Sequence, residues 1–196
     1  MLAQISSPAL RGIESYQVRV EVNFGTGLPS FTVVGLAEGA VREGRERVWA
    51  ALQNSGFAVP PRKITVNLAP ADVRKEGSAL DLPIALGLLS VSGRLPPEAF
   101  LGTAFVGELG LDGSLRPVKG VISMAEGCKR AGLKSLVLPR ENASEAAVVK
   151  GLKVLGAGSL KEIVRHLTGE VRIPAISITA EKLLDFQWKR ARATDK

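Results

Sequence analysis

The sequence is short of the side chains that usually carry chemistry: among 196 residues there is one cysteine, Cys128, one histidine, His166, and only 5% aromatics. A lone cysteine excludes an internal disulfide and any multi-cysteine metal site, and one histidine leaves a metal centre few ligands. No metal or other cofactor is therefore expected in this chain. A phosphate-binding loop ending in Gly-Lys-Ser/Thr is also missing. The nearest stretch, residues 120–129, has two glycines and a lysine at the wrong spacing, and Arg130 stands where the magnesium-holding hydroxyl belongs. No run approaches the roughly 20 apolar residues of a membrane span, and the first ten residues, MLAQISSPAL, lack the basic start and apolar core of a leader. A cytoplasmic protein without a membrane partner is expected. His166, near the end of an apolar helical stretch, reads as a packing or capping residue rather than a catalyst.

What is present suits a folded domain. The chain is 45% hydrophobic and 23% charged, far from the composition of disorder. With few rings available, the core must be built from Val, Leu, Ile and Ala, as in layered α/β proteins. Residues 16–24 alternate as a strand, a Gly-Pro turn follows, and residues 30–34 read as its antiparallel partner. From Ala37 to Ser55 the period becomes helical, with Val41, Val48 and Leu52 on one face and Gly56 as the stop. Residues 63–68 alternate again, and a charged loop, 72–77, leads to a helix. Asp81 is expected to cap this helix, with Pro83 in its first turn. Residues 82–89, LPIALGLL, are apolar enough to require burial. Asp112-Gly113 predicts a two-residue hairpin within 105–118. Helical stretches at 119–130, 143–149 and 160–167 alternate with strands at 134–138 and 153–155. Residues 1–169 are expected to form one domain, and 170–196 a linker and basic tail.

The net charge of +7 is unevenly spread: residues 1–98 hold ten Lys/Arg against nine Asp/Glu, and residues 99–196 sixteen against ten. A basic half suits a phosphate-rich partner, although a solvated surface with a basic tail accounts for it equally well. Asp72, Lys75, Glu76 and Asp81 form a charged group that suits either a ligand or loop-fixing ion pairs. Gly35, Gly56, Gly77 and Gly120 are expected to serve backbone geometry.

Two stretches carry a specific resemblance. Residues 66–86, VNLAPADVRKEGSALDLPIAL, with GLPSFTVVG at 27–35 and residues 42–56, resemble the N-terminal domain of the ComM/YifB family of magnesium-chelatase-like AAA+ ATPases. The stretch GELGLDGSLRPVKG at 107–120, followed by Ala131-Gly132 and LPREN at 138–142, is similar to the same family and, more distantly, to the Lon protease domain. The resemblance covers roughly residues 1–170. It implies a two-layer Lon protease-domain-like, ribosomal-protein-like α/β fold with a mixed sheet and packed helices.

The resemblance also indicates where a catalytic pair would stand. Lon-type proteases use a serine deprotonated by a lysine. Aligning Lys75-Glu76-Gly77 with the motif before the nucleophile puts Ala79 at the serine position, and counting from Pro117 puts Ile122 at the lysine position. Ser78 and Lys119 could form a shifted pair only if both moved from those positions. The implied role is thus a non-catalytic module, with ATP and magnesium confined to an AAA+ domain absent from these residues. The family resemblance further implies DNA as a partner, in recombination or natural transformation, and a hexameric ring for the full-length protein. Candidate phosphate contacts are Arg62, Lys63, Arg74, Lys75, Lys129, Arg130, Lys134 and Arg140. An assembly domain of the ring without DNA contact, and a residual Ser-Lys hydrolase, are the competing readings. The chelatase name implies neither porphyrin nor magnesium binding by these residues.

Overall fold

The computed structural model describes residues 1–35, 38–70 and 78–178. A seven-stranded mixed sheet runs in the order β3-β4-β2-β1-β5-β8-β9. Its members are β1 (Leu2–Arg11), β2 (Glu14–Gly25), β3 (Ser30–Val34), β4 (Lys63–Ala69), β5 (Thr103–Phe105), β8 (Ser135–Pro139) and β9 (Lys153–Ala157). A separate short ribbon pairs β6 (Glu108–Leu109) with β7 (Leu115–Arg116). The helices are α1 (Glu38–Asn54), α2 (Asp81–Val91), α3 (Val121–Arg130), α4 (Arg140–Ala146) and α5 (Leu160–Leu167). The mixed sheet with packed helices is the α/β class that the alternating pattern implied.

Strand β1 has no counterpart in the sequence expectation. Ser6, Ser7 and Pro8 are weak strand formers, yet β1 pairs antiparallel with all of β2, from Leu2 opposite Asn23 to Arg11 opposite Glu14. Two residues, Gly12 and Ile13, make the turn, and Gly12 has φ 63°, as a hairpin with glycine at its first central position requires. Strand β3 does not pair with β2 as its place in the sequence suggested; it lies parallel to β4, which itself pairs antiparallel with β2. The chain needs α1 to cross over between two parallel strands, so the Gly-Pro turn leads to the sheet edge rather than into a hairpin.

The helices expected on the sheet are there. Val48 and Leu52 of α1 are buried, and α1 packs on α2, which lies on β1 and β2. Every residue of α2 is buried, in keeping with its unbroken apolar run. A side chain at Gly87 would collide with Val22 Cγ2, so this glycine sets how closely α2 approaches the sheet. Gly56 ends α1 with φ 82°, and Phe57 N donates to Leu52 O at 2.9 Å, the closure expected of a glycine stop.

Two apolar clusters share the second half of the sheet. Phe105, Val137 and Leu155 belong to the cluster that holds α1, α2 and α5, whereas Ala104, Leu136, Leu138 and Val154 belong to the one that holds α3 and α4. Neighbouring strand residues point to opposite faces, so this half carries helices on both sides. Beyond Gly169 the chain stays attached to the domain: Ile173 is buried, Ala175 bridges to Leu155, and Ile176 N donates to Val154 O at 2.9 Å. His166 is partly buried and accepts a hydrogen bond from Ile173 N through Nδ1, at 3.1 Å, so it ties the following segment to α5 and does not cap the helix.

Candidate functional site

The positions marked by the Lon resemblance fall at the starts of α2 and α3. Ala79 precedes α2, and its carbonyl accepts from Gly107 N at 2.9 Å, while Leu82 N donates to Gly107 O at 3.1 Å. Ile122 lies in the first turn of α3. Both side chains are partly buried against the same apolar cluster, the one containing Val106, Val121 and Met124. The loop before α3 is held by Asn142, whose Oδ1 accepts from Val118 N at 2.8 Å and whose Nδ2 donates to Val118 O at 3.0 Å. Ser78 donates to the Glu108 carboxylate, and Glu108 in turn faces the Arg116 guanidinium at 3.7 Å. Among the described residues no lysine bonds Ser78.

Asp81 is not the helix cap expected of it. Leu80 occupies that position and makes no side-chain cap. The Asp81 carboxylate instead takes a two-pronged bond from Arg47 on α1, at 2.7 Å and 3.2 Å, and a third from Leu109 N at 3.3 Å. A guanidinium with two donors aimed at a buried carboxylate outcompetes amides of the first helical turn. Asp81 is 3% exposed. Burial pushes its carboxyl up to about 6, against the pull of Arg47 and of the Leu109 amide. The pair joins α1, α2 and β6, and lines a small cavity with Phe31, Val33, Val41 and Ile84. Burial pushes the Cys128 thiol up to about 11, away from the thiolate form. Among the described residues no group of acidic, histidine or cysteine side chains could hold a metal ion, and no helix is long and apolar enough to cross a membrane.

The candidate cations separate into distinct places. Lys129 and Lys134 flank the exit from α3, and Lys134 O accepts from Lys153 N at 3.0 Å. The Lys129 side chain lies over Gly151, between Lys150 and Lys153 in the chain. All four lysines are exposed. Arg130, next to Lys129 in the chain and also exposed, lines a hollow with Glu14 and Glu126. Arg140 is committed to Glu162, with both carboxylate oxygens within 2.8 Å of one guanidinium nitrogen. Lys63 lies along Gly25 and Gly27, and Arg62 lines an open groove with Arg45, Phe31 and Trp49. The starts of β4 and β8 are four strand positions apart, ~19 Å by strand spacing, so Arg62 and Lys63 are not continuous with the lysine group. Arg74 and Lys75, with Asp72 and Glu76, lie outside the described residues.

Local pattern could not reveal the Arg47–Asp81 pair, because its partners are 34 residues apart. Asn142 belongs to the quoted LPREN motif, but its clamp on Val118 is a long-range contact. Lys150 and Lys153 were visible as charges beside a predicted strand, and their proximity to Lys129 required the sheet order.

Residues 20–142 match the family described as subunit ChlI of Mg-chelatase. The chain is similar to the competence protein ComM of Haemophilus influenzae, 40% identical over 189 residues, which is 96% of this chain and 37% of that protein. It is 41% identical over 169 residues to the uncharacterized protein YifB of Salmonella typhimurium, 86% of this chain and 33% of that one. A more distant similarity, 25% over 150 residues, links it to Lon protease 2 of Bacillus subtilis, covering 75% of this chain and 26% of that protease. The chain thus spans about a third of the length of the ComM and YifB relatives it matches.

Proposed function

Because the chain belongs to the family of the magnesium-chelatase subunit ChlI, in the company of ComM and YifB, we propose that it is a non-catalytic N-terminal module of a ComM-type AAA+ ATPase. In this reading it contacts DNA during recombination or natural transformation. ATP and magnesium belong to a further domain, and the full-length protein forms a hexameric ring.

The observation that carries the DNA contact is the lysine group at the exit from α3. Lys129, Lys134, Lys150 and Lys153 are exposed, and none has an ion-pair partner among the described residues. Unpaired cations gathered on one region bind phosphates by releasing their counterions, without reading sequence. The absence of catalysis is supported by Ala79 and Ile122 at the dyad positions and by the commitment of Ser78 to a carboxylate. A carboxylate already attracted to Arg116 does not replace a lysine base.

The test is binding of the 196-residue chain to labelled duplexes of unrelated sequence across a salt series. Affinity should fall as salt rises, equally for every sequence. Changing Lys129, Arg130 and Lys134 together to Glu should weaken binding to all of them and flatten the salt slope. A triple variant that binds as wild type removes these residues from the contact. Absence of wild-type binding at low ionic strength would replace the proposal with the ring-assembly reading. Labelling of Ser78 by a serine-reactive probe would revive the hydrolase.

A further inference from the structure

A second feature lies at the β3 edge of the sheet, away from the lysine group. Phe31 of β3 and Trp49 of α1 meet edge to face, with ring centroids 6.1 Å apart. The Arg45 guanidinium stands over the Phe31 ring, 6.0 Å from its centroid. Val59 and Pro61 line the same open groove, along with Arg62. Ser30 N donates to Arg62 O at 3.2 Å, which fixes the Arg62 backbone beside β3. The rings are only partly buried. Arg45 and Arg62 are exposed and have no ion-pair partner among the described residues, and no residue described as lining the groove is acidic.

Flat apolar faces beside unpaired guanidinium groups call for a ligand that is both planar and anionic. A nucleotide strand supplies both, since its bases stack on rings while its phosphates meet cations. In a duplex the base faces are already stacked on one another, so only an unpaired strand can present them. We propose that the Phe31–Trp49 groove binds single-stranded nucleic acid, with a base stacked on the exposed ring surface and backbone phosphates at Arg45 and Arg62. This rests on the DNA reading above and narrows it: the lysine group takes phosphates of any DNA, whereas the groove distinguishes single strands from duplexes.

Tryptophan emission reports on the groove directly. The chain has two tryptophans, so Trp188→Phe leaves Trp49 as the sole reporter. Oligothymidylate about ten nucleotides long should quench Trp49 saturably, and an abasic strand of equal length should not. Trp49→Leu should lower affinity for oligothymidylate roughly tenfold with little change for duplex, and Trp49→Phe, which keeps a ring, should restore most of the loss. Arg62→Gln, at an exposed position without a ring contact, and Arg45→Gln, which also removes the cation over Phe31, should each weaken single-strand binding severalfold. The proposal is overturned if the abasic strand quenches as well as oligothymidylate. It is equally overturned if a folded Trp49→Leu and both arginine variants bind single strands as wild type does. The two readings fail separately. Loss of single-strand preference in wild type, with salt-dependent duplex binding intact, removes only the groove; single-strand quenching without any duplex binding removes the lysine contact and leaves the groove.

Discussion

Arg47 and Lys129 are both long cations on helices, and the fold uses them in opposite ways. Around α2 the charges are matched, as the half-buried Arg47 meets the buried Asp81 at 2.7 Å. Around the exit from α3 the charges are exposed, of one sign, and unmatched among the described residues. A buried charge without a partner costs several kcal/mol, so the first region must be self-sufficient. Exposed lysines cost little when unpaired, so the second can keep its charge available for a partner. Stability and binding should therefore respond to mutation in different places.

The sharpest way to break this contrast is at Asp81. Asp81→Ala leaves the half-buried Arg47 with only a 4.0 Å contact to the exposed Glu43 and should cost about 3 kcal/mol in urea unfolding. A loss below about 1 kcal/mol would mean that Arg47 finds water and that the pair does not organise α1 on α2. Acidity gives a second measure of the same group. The folded Asp81 carboxyl titrates near 6, above its ordinary 3.8. Its stabilising contribution is therefore complete below about pH 4 and is lost as pH rises through 6, on the order of 3 kcal/mol. Unfolding free energies from pH 4 to 7 should show this decline in wild type and not in Asp81→Asn.

A smaller effect is expected at the ribbon. Gly113 has φ 83°, and a side chain there would strike Ser55 Oγ. Gly113→Ala should cost about 1–3 kcal/mol, measured by thermal unfolding. Asn142→Leu removes both bonds to Val118 and should cost about 1–3 kcal/mol, with faster amide exchange at Val118 as the local signature. At the other extreme, Lys150→Glu with Lys153→Glu should stay within about 0.5 kcal/mol in stability and yet weaken duplex binding. A large stability loss from that pair would erase the distinction between the two regions.

Much of this architecture was written in local pattern, and the exceptions share a cause. Leu160–Leu167 and the apolar α2 followed directly from periodicity because each is a single continuous element. The β1–β2 hairpin was legible only at Gly12, since the serines and proline of β1 join the sheet by pairing rather than by propensity. Sequence neighbours suggested a hairpin for β3, and the insertion of β4 decided otherwise. The Asp112-Gly113 signal marked a real turn, but β6 and β7 pair at Leu109 and Leu115, leaving five residues between them instead of two. There Asp112 is occupied by the Ser114 amide and hydroxyl, at 3.0 Å and 2.6 Å. The resemblance located Ala79 and Ile122, but not the surrounding polar contacts. Asp81 looked like a cap because its true partner is on another helix.

The stretch after α5 gives the domain a mechanical property. Because Ile176 is bonded to Val154 and Ala175 bridges to Leu155, tension applied to the chain past residue 178 falls first on β9, with Ile173 and its bond to His166 as the next hold. A slack tether would absorb a pull; this attachment passes it to the edge strand. Any such pull would be felt by the sheet, and unpeeling these few bonds would set the largest load transmitted to it.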